Sequence, residues 1–458
     1  MSRGAPRQIR QQQGAATLIV VMVLFFVMSL VAAYTNRSLI FEQRTSTNQY
    51  RSTQALEVAD SGLEWVLAQL NFERITNQCL KSSVNTNTSF RQRYLNIAPA
   101  TGKILPVPDP VGGGELTPSC VWTGIGSGWS CSCPSTGAPA LTAPTAAGVW
   151  PAFRVRFRPI LLVGTPLEPK QPSAVWVDVV GCTRLDAAGA SDPCLNFDGQ
   201  GTLNEGRAVV SSILTLTGNA AGLPQAALTA FGPVNVGGAA LGAYNTQPNG
   251  SGITVHAGGA IAAAGLVLRS SPGTPGNTSF IQSDPLLDPL VGLAPVLPFS
   301  AAERMFASVF SMRPETFRTQ PAAVQLTCSP CTAATVRTEL AANPGRPLWL
   351  TGSLSVDSAG DIGSAAAPVL IVVNGALEYT GAGTGANLYG LVYTRLTAGG
   401  PTSWVTSGSG QVTGAVVAEG GVTGAGTPTI VYDPDVLRLV RFNIGSFVRV
   451  AGSWTDFR

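Results

Sequence analysis

The chain has 458 residues, room for two or three domains and an ample core. Charged residues make up 12% of it, about half of the usual 25%. The net charge of +3 is scattered, with Lys only at 81, 103 and 170, and no basic stripe marks a nucleic-acid-binding surface.

The chain opens on a basic segment carrying Arg3, Arg7 and Arg10, then runs through Gln11-Gln12-Gln13-Gly14 into an uncharged apolar block, Ala15 to Ala33. Nineteen residues span roughly 28 Å as a helix, close to the ~30 Å hydrocarbon core of a bilayer. Because the block is apolar on every face, it does not read as the core helix of a soluble domain. Leu18, Ile19, Val20, Val23, Leu24, Phe26 and Val27 are the side chains expected to meet lipid or neighbouring helices. Three processing routes fit: a secretory cut after Val31-Ala32-Ala33, an uncleaved anchor, or a cut after Gly14 that leaves the helix on the mature chain. The following segment favours the third. From Tyr34 to Leu70 there is no Pro and only Gly62. Leu56, Ala59, Leu63, Val66, Leu67 and Leu70 recur at spacings of three and four, one apolar stripe on a helix. A single helix from about Ala16 to Leu70 is expected, on the order of 80 Å long, lipid-soluble in its first half and amphipathic in its second.

Two stretches, Gln13-Gly14-Ala15-Ala16-Thr17-Leu18-Ile19-Val20-Val21 and Gln54-Ala55-Leu56-Glu57-Val58-Ala59-Asp60-Ser61-Gly62-Leu63-Glu64, resemble the N-terminal module of PilX-type pilus assembly proteins, relatives of type IV pilins and type II secretion pseudopilins. The resemblance implies cleavage by prepilin peptidase after Gly14 and N-methylation of Ala15. It implies as partners the other minor pilins, the major pilin, the peptidase and the pilus assembly machinery. It also implies a single-pass inner-membrane state with the bulk in the periplasm, followed by a place in the pilus at the cell surface. Major pilins carry a glutamate where this chain has Ile19. A carboxylate in lipid costs about 2.5–3.5 kcal/mol and is kept only with a partner; its absence points to a specialist subunit at or near a tip or priming complex.

Arginines flank the apolar block on both sides, Arg37, Arg44 and Arg51 balancing the three before it, so charge does not set its orientation. Cysteine does. All eight (79, 120, 131, 133, 182, 194, 328 and 331) follow the block, which fits an oxidising space outside the cytoplasm. Eight cysteines allow about 105 pairings; local closeness favours Cys182–Cys194 and Cys328–Cys331. The Cys328-Ser-Pro-Cys331 element also suits a redox pair or half a zinc site, but no second pair at zinc spacing accompanies it and His256 is the only histidine. A structural disulfide is the preferred reading.

The expected fold class is α+β: a long N-terminal helix packed on an antiparallel sheet, then a β-rich domain. Residues 71–148, with Gly112-Gly113-Gly114 and several prolines, read as an irregular, disulfide-tied insertion within a pilin-like unit over 71–220. Strands are expected at 153–158, 174–180 and 208–216, where apolar residues alternate or cluster; the arginines of the first, Arg154, Arg156 and Arg158, read as a solvated sheet face. A second unit, 223–458, shows short β-branched runs separated by Gly, interrupted by helices at 301–310 and near 333–342. Spacings of 23 residues from Gly352 to Gly375 and 24 from Gly390 to Gly414 suit a stacked β-helix, with a β-sandwich as the alternative. The block from Trp349 to Phe457 also resembles the C-terminal β-domain of PilX-like proteins.

No catalytic set is legible. His256 lacks a nucleophile elbow, and there is no phosphate loop or dinucleotide fingerprint. Asp357 with Asp361, and Asp433 with Asp435, are the only close carboxylate pairs considered for calcium, and neither follows a full calcium-loop pattern. Neither an enzyme nor a cofactor is expected. The sequence reads as an assembly protein, with a secretion-system tip pseudopilin and a pilin-anchored adhesin or glycan-acting β-helix as the other readings.

Overall fold

The computed structural model describes residues 13–84, 86–98, 101–141, 150–160, 173–185, 193–197, 206–218, 220–238, 240–248, 250–287, 301–358, 360–380, 386–395, 402–406 and 408–456. Residues 1–12 of the expected leader, and Phe457 at the end of the C-terminal block, lie outside them.

One helix runs from Gln13 to Leu70. Nothing in it breaks the backbone ladder, since it lacks Pro and its only interior Gly beyond Gly14 is Gly62. Its second half lies on a six-stranded antiparallel sheet. The order is Gly445–Arg449, Arg207–Gly218, Ala174–Cys182, Ala152–Pro159, Ser119–Trp122 and Trp129–Ser132. Ala55, Ala59, Leu63, Val66 and Leu70 are fully buried against this sheet, while Leu56 and Leu67 sit half-buried at the stripe's margins. The segment expected to be irregular is more ordered than its composition suggests. It holds a short helix, Phe90–Tyr94, an antiparallel pair Leu95–Ile97 with Ile104–Pro106, and the two outermost strands of the main sheet. Its glycines and prolines mark the turns between these pieces.

The arginines of strand 152–159 do not form a solvated face. Asp178, fully buried on the neighbouring strand, accepts from Arg156 Nη2 at 3.3 Å, from Arg158 and from Ser211 Oγ at 2.8 Å. Arg156 also stacks over Phe197 and Arg158 over Trp176. A polar face therefore reads as exposed in one strand and is largely covered here, because Phe197 and Trp176 pack on its arginines and Asp178 gathers them.

After Leu223 the chain winds as a parallel β-solenoid with two hydrogen-bonded faces. One face stacks Leu266–Ser270, Leu241–Asn245, Thr429–Tyr432, Gly410–Ala418, Ala386–Thr394, Val369–Asn374, Leu348–Thr351 and Val324–Thr327. The other stacks Ile261–Ala262, Val234–Asn235, Gly421–Gly424, Thr402–Thr406, Leu377–Tyr379, Leu354–Val356 and Cys331–Thr332. The sandwich alternative is thereby excluded, since every pairing in these two faces is parallel. Strand Val369–Asn374 shows why its sequence is a continuous apolar run. Val369, Ile371 and Val373 fill the solenoid interior. Leu370 and Val372 point outward under helix Ala301–Phe310, where Phe306 and Phe310 also pack on Tyr393. The 24-residue glycine spacing marks a corner: Gly390 and Gly414 pair in register at φ +147° and +133°. A Cβ on Gly390 would lie 1.9 Å from the Val369 carbonyl oxygen, a clash only glycine avoids.

The coils do not stack in chain order. The first two, through 228–245 and 255–270, lie at one end; winding resumes at Val324 at the far end and returns until Gly410–Tyr432 docks on the first coil. The solenoid is in effect circularly permuted, so its entry and exit are neighbours. Helix Pro434–Asn443, capped by Asp433, then leads into strand Gly445–Arg449, which pairs antiparallel with Arg207–Gly218, the strand that feeds the solenoid. The unit expected over 223–458 is therefore not closed on itself: its last strand belongs to the first sheet.

Candidate functional site: the N-terminal helix and its seat

Every described side chain from Thr17 to Tyr50 is exposed, Phe25 at 74% and Ile19 at 62% among them. About nine turns of helix thus project from the head with an apolar first half. The helix passes the length and composition requirement for one membrane crossing. Its hydroxyls do not break it. Thr35, Thr45 and Thr47 each donate to the carbonyl four residues earlier, at 2.9, 2.9 and 2.7 Å, so these polar groups are satisfied within the helix. Leu18, Ile19, Val20, Val23, Leu24, Phe26 and Val27 all lie on this projecting portion, fully in the open. Gly14 and Ala15 lie in its first turn of backbone.

The seat of the helix explains the Ala-Asp-Ser-Gly-Leu-Glu element at 59–64. Ala55 and Ala59 meet the sheet at Gly181, where an added Cβ would lie 2.4 Å from Ala55 O and 2.5 Å from Ala59 N. Gly62 sits as closely against Val179 and Phe153. Asp60 accepts from Trp454 Nε1 at 3.2 Å, and Glu64 pairs with Arg449, so the C-terminal tail is strapped to the helix. Leu63 fills the core.

Three buried polar side chains lock the end of the helix. Asn71 donates to Leu67 O at 3.1 Å and Phe447 O at 2.9 Å and accepts from Phe447 N at 2.8 Å, joining the helix to the returning strand. Arg91 donates to Leu70 O, Gly345 O and Gly445 O at 2.9, 3.1 and 3.0 Å, tying the helix terminus, a solenoid corner and the returning strand together. Burial, and then the nearby Arg346, lower its pKa to about 9. Arg93 donates to Ile75 O at 3.0 Å, Thr76 O at 3.2 Å and Cys133 O, and burial lowers its pKa as well. Sequence reading missed all three residues, because isolated polar residues in a loop-rich stretch carry no periodic signal. The nearest available signal for Asn71 is its place directly after the last apolar stripe residue.

The cysteines are all paired: Cys79–Cys133, Cys120–Cys131, Cys182–Cys194 and Cys328–Cys331. The first two close the segment around Arg93. The carboxylates considered for calcium serve the backbone and arginines. Asp433 accepts from Asp435 N and Val436 N, Asp435 pairs with Arg438, and Asp357 accepts from Ala333 N at 3.3 Å. Asp361 lines a cleft apart from them. Among the described residues no group of three or more His, Cys, Asp or Glu side chains converges as a metal site. His256, on the second coil in chain order, meets Asp284 at 2.6 Å.

Residues 13–64 match the family model described as PilX N-terminal. No curated protein matches the chain. A crystal structure of the competence-associated pilin ComZ from Thermus thermophilus is similar at 11% identity and a TM-score of 0.22, over 89% of this chain and 97% of that one; a likeness of that size does not bear on function. The matched segment spans the projecting helix and ends at Glu64, within the seat just described: the chain carries an N-terminal segment similar to that of PilX-type proteins.

Proposed function

We propose that the protein is a minor pilin of type IV pilus assembly, incorporated at or near a pilus tip or priming complex and acting by assembly, not catalysis. The observation that carries this is the division of one helix. Its apolar half stands wholly clear of the head, and its second half is fastened to the head by close backbone packing and by Asn71 and Arg91. In this reading prepilin peptidase cuts after Gly14. The helix then holds the chain in the inner membrane, with the head in the periplasm, until it joins the helical core of a filament beside other minor pilins and the major pilin.

Ile19 supports the specialised position. Without a carboxylate there, the subunit cannot neutralise a neighbour's charged N-terminal amine inside a low-dielectric core. The test is Ile19→Glu, followed by immunodetection along sheared filaments. A shift from terminal to distributed labelling, with higher abundance, is expected; unchanged place and abundance would remove the basis for a tip role.

The parallel solenoid favours one further reading, a pilin-anchored adhesin or glycan-acting protein. Binding of the full chain to a glycan array would support it. Asp357 and Asp433 contribute little to that reading, since both carboxylates are engaged with backbone amides.

A further inference from the structure

The two units meet at a cleft of about 580 Å³, well within the roughly 300–1,000 Å³ of small-molecule sites. Arg74 and Arg91 enter it from the first unit, and Arg337 and Arg346 from the solenoid. Among the described residues the only carboxylate lining it is Asp361, which is exposed. The other acids nearby are engaged: Glu73 with Lys81 at 2.8 Å, and Glu339 with Asn343 Nδ2 at 2.9 Å. The hydrogen bonds of Arg91, Arg337 and Arg346 go to neutral groups. Arg91 donates to three carbonyls, Arg346 to Ala322 O and Asn343 Oδ1, and Arg337 to Gly360 O and Ser358 Oγ.

Arg91 and Arg346 are thus held close enough to repel one another, largely out of water; Glu73 and Glu339 act on Arg346 through space without an ion pair, and no carboxylate acts on Arg91 among the described residues. Like charges placed so in a domain seam are costly unless an anion joins them. The remaining wall is apolar, formed by Leu340, Pro368, Val369 and Ile444.

We propose that this cleft binds a small organic anion, with a phosphate or carboxylate head among the arginines and an apolar body against the Leu340–Val369 wall. Guanidinium groups suit such heads through paired, charge-assisted hydrogen bonds. Because ligand groups would touch both units, occupancy would also tighten the seam that Arg91 bridges.

The test is calorimetric titration of the full chain in detergent with phenyl phosphate, with inorganic phosphate and phenol as controls. Phenyl phosphate is expected to bind more tightly than inorganic phosphate, and phenol not at all. Arg337→Ala should weaken phenyl phosphate binding about tenfold. Ala366→Trp, in the lining loop and away from the guanidinium contacts, should block the apolar body and abolish the advantage over inorganic phosphate. Circular dichroism and a thermal scan confirm that each variant folds. No heat from phenyl phosphate up to about 10 mM, equal binding of phenol, or an unchanged affinity in both variants would overturn the proposal.

Discussion

Replacing Gly181 by alanine tests the seat of the helix. The added methyl would meet Ala55 O at 2.4 Å and Ala59 N at 2.5 Å, where ordinary contact begins at 3.4 Å. The atoms met are backbone, so no side-chain rotamer can relieve the overlap. The helix must back away by roughly 1 Å, enough to forfeit a quarter to a half of the dispersion attraction along that contact. Overpacking of this kind costs about 1–3 kcal/mol, and the upper end is expected because two backbone atoms are struck. Trp65 lies 5.5 Å from Phe90 and 5.4 Å from Phe153, ring centroid to centroid, and its fluorescence reports the same interface. Guanidinium unfolding of the full chain in detergent, followed by fluorescence of a variant that keeps Trp65 as its only tryptophan, should show the loss for Gly181→Ala. Gly114→Ala, where nothing lies within 4 Å of the new methyl, should be close to neutral. Adding Ala59→Gly to Gly181→Ala should recover little, because it removes only the Ala59 Cβ at 2.9 Å and leaves Ala55 O and Ala59 N in the way. Equal stability of Gly181→Ala and Gly114→Ala within about 0.5 kcal/mol would refute the backbone-contact argument.

Asn71→Leu removes three buried hydrogen bonds and strands both polar groups of Phe447; a loss of about 2–4 kcal/mol and faster amide exchange across 445–449 are expected. Disulfide removal should scale with the loop closed. The Cys79–Cys133 pair spans 54 residues, and its double serine variant should lose about 4 kcal/mol, whereas the three-residue Cys328–Cys331 spacing should lose under half of that. At Asp284 burial raises the carboxyl pKa, but the Leu286 amide and His256 outweigh it, leaving it below the usual range. A depressed carboxyl stabilises the fold above its unfolded-state pKa and loses that contribution as pH falls through the folded value. Asp284→Asn should therefore cost under about 1 kcal/mol at neutral pH in denaturant titration, with the difference from wild type vanishing in acid.

The long helix was legible because unbroken apolar periodicity and the absence of Pro have one outcome. The runs at 153–158, 174–180 and 208–216 were legible as strands for a similar reason, and glycine spacing near 24 residues pointed to stacked coils. Permutation of the coils was not legible, because adjacency of Gly410–Tyr432 to the first coil is a long-range pairing that leaves no local mark. The Arg156–Arg158–Asp178 cluster was misjudged for the same reason: alternation along one strand reports two faces but not what covers each. Arg91 and Asn71 were invisible because their partners lie up to 376 positions away.

The measurement that bears most directly on the proposed role is mass analysis of the N-terminus of the mature protein. A chain beginning at N-methylated Ala15 is predicted, with the whole apolar helix retained. A chain beginning at Tyr34 would have lost that helix and would contradict assembly through it.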